Sequence, residues 1–107
     1  MSVRGVLAAA LLGALFAARV GAADADTIQV SAKNFMFAPA TLTVKAGTTV
    51  TWVNLDDEPH TVASDAGLFR SSALDTKERF SFKFDKAGTY HYLCTIHPQM
   101  LGTVVVE

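Results

Sequence analysis

Short segments of alternating apolar and polar residues constrain this chain's fold more than any other feature of its sequence. From Thr27 onward, β-branched and aromatic residues recur in such segments, with Gly, Pro and Asp between them. This alternation is typical of half-buried β-strands, and the intervening residues are typical of turns. The segments span 27–32, 35–37, 41–45, 48–54, 60–63, 78–84, 89–94 and 103–106. We therefore predict an all-β, antiparallel β-sandwich of seven or eight strands with Greek-key connections.

The aromatic residues indicate where the core of this sandwich lies. Phe80, Phe82 and Phe84 share one face of their strand, and we assign that face to the core. Trp52 is also assigned to the core, where its indole N–H would need a hydrogen-bond partner. The stretch 64–76 is the least regular, and it favours a loop or a short helix.

The first 22 residues differ from the rest of the chain. Arg4 is followed by an almost wholly apolar run over 5–18 and then by small residues near Ala22. This order predicts a secretory signal peptide over 1–22, and a mature domain over 23–107. A retained membrane anchor is the alternative, but the run is shorter than the roughly 20 residues that span a bilayer as a helix. Arg19 lies close to the cleavage point and leaves its position open.

Signal cleavage would change the charge of the chain. It would remove Arg4 and Arg19, leaving seven basic residues against ten acidic ones and a net charge of −3. Because the chain then carries no basic patch, we do not expect nucleic acid as a partner.

Cys94 is the single cysteine of the sequence, so the chain cannot form an internal disulfide. In an oxidising compartment a lone thiol is reactive unless it is buried or bound by a ligand. Its neighbours favour a ligand, because Cys94, His97 and Met100 recur at every third residue directly after a predicted strand. A thiolate, an imidazole and a thioether together suit copper, whereas zinc seldom takes a thioether and iron–sulfur clusters need more cysteines.

A fourth ligand must come from elsewhere, and the sequence has three histidines. Strand alternation places His91 on the face opposite Cys94, which predicts a solvated side chain. By elimination His60, which follows a turn, is the second imidazole. We therefore predict one copper ion bound by His60, Cys94, His97 and Met100. Two histidines and a cysteine with a weak axial methionine form the blue-copper arrangement.

The chain resembles the cupredoxins, and in particular their plastocyanin and amicyanin group. The resemblance covers most of the mature chain, and its strongest segments are 35–39, 44–54, 59–60 and 88–94. The loop with two residues between successive ligands, and Pro98 after the histidine, are similar to amicyanin. Ile96 departs from amicyanin, which has a proline there, and the mature N-terminus is shorter. The resemblance therefore implies a cupredoxin-like sandwich with a type 1 site, but not amicyanin's partner, methylamine dehydrogenase.

The resemblance also implies a contact between the threonines that follow two of the ligands. The side chains of Thr61 and Thr95 are expected to bond across the two ligand loops. The outer edge of His97 is expected to reach the surface within an apolar docking patch formed by Pro59, Pro98, Met100 and Leu101. The acidic residues 56–58 before His60 form either a solvated turn or a surface that steers a basic partner.

These expectations define the predicted function. The chain is predicted to be a monomeric periplasmic protein that carries single electrons between redox partners, without stable membrane insertion once the signal is cleaved. The alternative is a copper carrier that delivers the ion to an oxidase, but the Met or His tracts typical of such carriers are absent. An enzyme using Cys94 and His97 as a nucleophilic pair is not expected, because the sequence offers no third triad member or oxyanion-hole signature.

Overall fold

The computed structural model describes residues 27–107, which form two four-stranded sheets packed as a sandwich. The strands are β1 Thr27–Lys33, β2 Met36–Ala38, β3 Thr41–Val44, β4 Thr48–Asn54, β5 Ala63–Ser64, β6 Arg79–Phe84, β7 Gly88–Leu93 and β8 Leu101–Val106. One sheet has the order β2-β1-β4-β6 and the other β3-β8-β7-β5. The predicted all-β sandwich is confirmed. The predicted signal peptide, 1–22, lies outside the described residues.

The two sheets are mixed rather than purely antiparallel. β1 pairs with β4 in parallel, and β3 pairs with β8 in parallel, while the other pairs are antiparallel. The chain leaves the first sheet after β2, passes through β3 in the second sheet, and returns as β4 beside β1. Side-chain alternation reports which face of a strand is buried and not its direction, so the sequence pattern did not reveal these parallel pairs.

The region predicted as a strand over 60–63 is largely irregular. His60 makes an isolated bridge with Leu74, and regular pairing begins only at β5. The Val62 N–H donates to the Ser71 hydroxyl at 2.9 Å, so a side chain replaces a ladder partner there. No helix occurs within residues 27–107, and 65–76 is a loop with isolated bridges at Arg70 and Leu74. Nothing in that range is therefore a helix that could cross a bilayer.

Aromatic side chains fill the core around Trp52, which is fully buried in β4. Phe84 is buried and Phe80 and Phe82 pack against the core while partly buried, which confirms the predicted stripe. We expected the indole N–H to have a hydrogen-bond partner, but Trp52 Nε1 has none among the described residues. The Tyr92 ring instead meets the indole edge-on, with centroids 5.3 Å apart.

Three loops meet at one end of the sandwich. β1 and β4 run in parallel and end there, so the turn at residues 34–35 and the loop 55–62 are neighbours. β7 also ends there, because the loop 94–100 that connects it to β8 contacts the β4–β5 loop. The residues predicted to bind metal are in these loops.

Candidate metal centre

The loop that delivers His60 is shaped by Asn54, the buried last residue of β4. Its side-chain Nδ2 donates to the carbonyls of Glu58 and Leu74, each at 2.9 Å. Its Oδ1 accepts the N–H of Asp56 at 2.8 Å. The backbone of His60 then exchanges two hydrogen bonds with Leu74. Together these bonds fix the backbone of His60 and turn its ring into the protein, where it is fully buried.

The second ligand loop, 94–100, is closed by its own backbone. The Cys94 N–H donates to the Met100 carbonyl at 3.1 Å, and the Met100 N–H donates to the His97 carbonyl at 2.9 Å. Cys94 and Met100 are buried, and His97 is half-buried. A short loop with this closure holds Cys94 and His97, three residues apart, on the same side of the site.

The structure brings His60, Cys94 and His97 together. Cys94 Sγ lies 3.7 Å from His60 Nδ1 and 3.8 Å from His97 Nδ1. The three donor atoms all lie within 4.8 Å of one another. His91 is elsewhere, as alternation predicts: it is exposed, and its Nδ1 lies 3.1 Å from the Thr103 hydroxyl.

These separations fit one transition-metal ion between the three donors. Typical metal bonds of about 2.3 Å to a thiolate and about 2.0 Å to an imidazole, at a trigonal angle, put sulfur and nitrogen roughly 3.7 Å apart. Both observed sulfur–nitrogen distances agree with that value. Two imidazoles and one thiolate are also the donor set that copper takes in trigonal sites.

Met100, the fourth predicted ligand, is 3% exposed and belongs to the buried core cluster that contains Cys94. Its position at the closed end of the loop is compatible with the predicted axial role, which stays a prediction. Because Met100 is buried, its expected place in a surface patch is wrong. The Met100 carbonyl accepts the Cys94 N–H, and this backbone position directs the Met100 side chain into the protein.

The surroundings of Cys94 favour its thiolate. Burial alone would raise the pKa of the thiol, but the Thr61 N–H donates to Sγ at 3.3 Å and both imidazoles lie against it. These hydrogen bonds outweigh burial and lower the pKa of Cys94 to about 6. The thiolate is the form that binds metals.

Thr61 also joins the two ligand loops. Its hydroxyl lies 2.8 Å from the Thr95 hydroxyl and accepts the Thr95 N–H at 2.7 Å. The resemblance implied this contact, and the structure contains it. Thr61 therefore contacts the cysteine loop through both its backbone N–H and its side chain.

Asp56 is the site residue that sequence reasoning missed. Its Oδ2 lies 2.8 Å from His60 Nε2, and its side chain is 10% exposed. Burial would raise the pKa of this carboxyl, but hydrogen bonds from Phe35, His60 and Asn34 outweigh burial and lower it. The sequence placed Asp56 in an acidic turn, and Asp57 and Glu58 are indeed exposed. A lone aspartate four residues before a histidine is too common a pattern to have identified it.

The Phe35 ring packs against the half-buried His97, and further exposed apolar residues lie in the same loops and strand ends. The Phe35 ring meets the His97 ring at a centroid distance of 4.9 Å and the His60 ring at 5.5 Å. We call the exposed apolar residues of these loops and strand ends the His97 patch; they are Phe35, Met36, Ile96 and Leu101. Leu101 was predicted for this surface, whereas the other three were not.

Known proteins resemble this chain in sequence and in fold. The profile of the Cupredoxin-like domain matches residues 5–106. Amicyanin from Paracoccus versutus is 39% identical over 95 residues, which cover 82% of this chain and 72% of that protein. Plastocyanin from Scenedesmus fuscus is 40% identical over 85 residues, covering 67% of this chain and 87% of that protein.

A solved structure of Cu(I) amicyanin, in which one methionine is replaced by alanine, superposes with a TM-score of 0.72. It is 37% identical and covers 76% of this chain and 82% of the amicyanin chain. The sandwich, the three-donor cluster and the extent of these matches agree with one another. The chain therefore belongs to the cupredoxin family, whose cofactor is one copper ion.

Proposed function

We propose that this protein is an exported type 1 copper protein that carries single electrons between redox partner proteins. His60, Cys94, His97 and Met100 would hold the copper ion, which cycles between Cu(I) and Cu(II) when bound. The observation that carries the proposal is the cluster of Cys94 Sγ with the Nδ1 atoms of buried His60 and half-buried His97.

Electron exchange would be fast because the donor atoms keep their positions when the copper ion gains or loses an electron. Cys94 and the two histidines are held by backbone bonds, by the Thr61–Thr95 contact and by a packed core. Such a scaffold limits how far the donor atoms move when the charge of the site changes. A small rearrangement means a low barrier to electron transfer. The predicted role of Met100 is that of a weak axial ligand that helps to set the reduction potential.

Electrons would pass at the His97 patch. His97 is the more exposed of the two histidines, and Phe35 of the patch packs against its ring. Transient electron-transfer complexes bury small areas, so a patch of a few apolar side chains suits a partner that docks and leaves quickly. We propose redox donor and acceptor proteins as the partners, and a monomer as the functional form.

The proposed location is the periplasm, reached through the predicted signal peptide at 1–22. Single electron carriage also implies that the protein turns over no substrate of its own. Relatives named amicyanin and plastocyanin support an electron carrier rather than an enzyme.

The test compares electron transfer with copper delivery. The mature protein is loaded with copper, reduced and mixed with a Cu(I)-selective chelator, and copper loss is timed against reoxidation by a small one-electron oxidant. Electron carriage predicts many reversible redox cycles before copper is lost, because His60 and Cys94 are buried. Rapid transfer of Cu(I) to the chelator, faster than reoxidation, would contradict electron carriage and favour delivery.

A further inference from the structure

The carboxylate of Asp56 connects two parts of the metal end that are distant in sequence. Its Oδ2 accepts from His60 Nε2 at 2.8 Å and from the Phe35 N–H at 2.9 Å. Its Oδ1 accepts from the Asn34 N–H at 2.6 Å. Three donors from two loops thus converge on the two oxygens of one nearly buried carboxyl group.

The first consequence concerns His60. A carboxylate accepts hydrogen bonds and does not donate them, so the contact fixes the proton of the neutral imidazole on Nε2. Nδ1 is then left with a lone pair directed towards Cys94 Sγ, 3.7 Å away. Carboxylate partners of this kind orient metal-binding histidines and increase the basicity of the donor nitrogen.

The second consequence concerns Phe35. Asn34 and Phe35 have φ values of 55° and 59°, in the left-handed region that a bulky residue rarely adopts. Both of their N–H groups donate to Asp56, which holds the turn in this conformation. This conformation places the half-exposed Phe35 ring edge-on against the rings of His60 and His97.

We propose that Asp56 is a positioning residue that holds the His60 imidazole and the Phe35 ring in one arrangement over the metal site, and thereby lowers the reduction potential of the copper. This inference rests on the proposed function, because it assumes that His60 binds copper through Nδ1. A more basic imidazole stabilises Cu(II) more than Cu(I), which is why the potential falls. Asp56 acts through His60 and Phe35, because its hydrogen bonds reach the His60 ring and the Phe35 backbone.

The test variant is Asp56→Asn, and Asp57→Asn is its matched control. Both remove one negative charge at adjacent positions, but Asp57 is exposed and makes no side-chain hydrogen bond within residues 27–107. An asparagine at 56 keeps one acceptor oxygen. Its NH₂ group replaces the other oxygen and would face an N–H donor that it cannot accept from. The difference between the variants therefore isolates the hydrogen bonds from the charge.

The expected result is a loss of Cu(II) affinity of about tenfold or more in Asp56→Asn relative to Asp57→Asn. If Cu(I) affinity is unchanged, tenfold corresponds to a rise in potential of about 59 mV for a one-electron couple. The ring protons of His97 should also shift in Asp56→Asn, because the Phe35 ring leaves its position. Equal potentials in the two variants would overturn the proposal.

A second readout needs no copper. In the metal-free wild-type protein, the His60 Nε2 proton should exchange slowly with water and give a distinct NMR signal, which Asp57→Asn keeps and Asp56→Asn loses. Fast exchange of this proton in the wild-type protein would overturn the proposal, even if Asp56→Asn failed to fold. Failure of every variant to bind copper would instead contradict the proposed function, while the proton signal would still test the Asp56–His60 bond.

Discussion

The hydroxyl groups of Thr61 and Thr95 lie 2.8 Å apart and join two loops that are 34 residues apart in sequence. Thr61 follows His60, and Thr95 follows Cys94. The contact therefore holds the two loops that carry these ligands at a fixed position relative to each other. The same Thr61 hydroxyl accepts the Thr95 N–H, and its backbone N–H donates to Cys94 Sγ. The free energy of unfolding of the metal-free protein should therefore depend on the Thr61 side chain.

Replacing Thr61 by valine should destabilise the metal-free protein by about 1–2 kcal/mol, since the isosteric change removes the hydroxyl that contacts the Thr95 hydroxyl, the Thr95 N–H and Cys94 Sγ. Thr103→Val is the control, because within residues 27–107 its hydroxyl bonds only to the exposed His91, and its loss should cost less than about 0.5 kcal/mol. Urea denaturation of the metal-free proteins measures both changes. Equal stability of the two variants would show that the Thr61–Thr95 contact does not hold the loops.

Gly102 should not tolerate a side chain. It lies opposite Tyr92 in the β7–β8 pair, and a Cβ on Gly102 would overlap the Tyr92 ring. Gly102→Ala should therefore destabilise the protein by about 1–3 kcal/mol, the usual cost of overpacking. In a Tyr92→Leu background the same change should cost much less, because the ring that it meets is gone. Thermal unfolding of the four proteins gives this cycle, and strictly additive losses would contradict the contact.

Asn54 should be required for the loop that carries His60. Asn54→Ala removes three hydrogen bonds, to the carbonyls of Glu58 and Leu74 and from the N–H of Asp56. Each lost hydrogen bond costs roughly 0.5–1.5 kcal/mol, so we expect a loss of about 2–4 kcal/mol of stability. Copper affinity should fall as well, because His60 loses its fixed position. Gln99→Ala, which removes an exposed amide from the other ligand loop, is the control and should change stability little.

The predicted axial role of Met100 can be separated from general packing. Met100→Leu keeps an apolar side chain of similar volume but removes the thioether. We expect the thiolate-to-copper band to persist and the reduction potential to rise, because loss of a donor destabilises Cu(II) more than Cu(I). Met36→Leu, at an exposed methionine of the His97 patch, should leave the potential unchanged. Cyclic voltammetry measures both, and an unchanged potential in Met100→Leu would mean that the thioether is not a ligand.

The sequence predicted most of the fold because burial repeats with a period of two along each strand. Val50 and Trp52, for example, are buried in β4 as their alternation indicates. It did not predict the parallel pairs, which depend on the path between sheets. It also predicted a strand at 60–63, where Pro59 and the bond from Val62 to the Ser71 side chain prevent regular pairing.

The site was predictable to the extent that its chemistry is local. Cys94, His97 and Met100 lie within one short loop, and His60 followed from placing His91 on the opposite face. Asp56 and Phe35 were missed as site residues because their roles arise from tertiary contacts across more than 20 residues, between the β1–β2 turn and the β4–β5 loop. No local spacing encodes such a contact.

Copper(II) titration of the purified mature protein, followed by its visible spectrum, tests the central claim most directly. We predict that one equivalent produces an intense thiolate-to-copper charge-transfer band, which bleaches on one-electron reduction and returns on reoxidation. Cys94→Ser should fold and lack the band, because Cys94 is the only thiol in the sequence. Absence of the band in the wild-type protein, or its persistence in Cys94→Ser, would contradict a type 1 site built on Cys94.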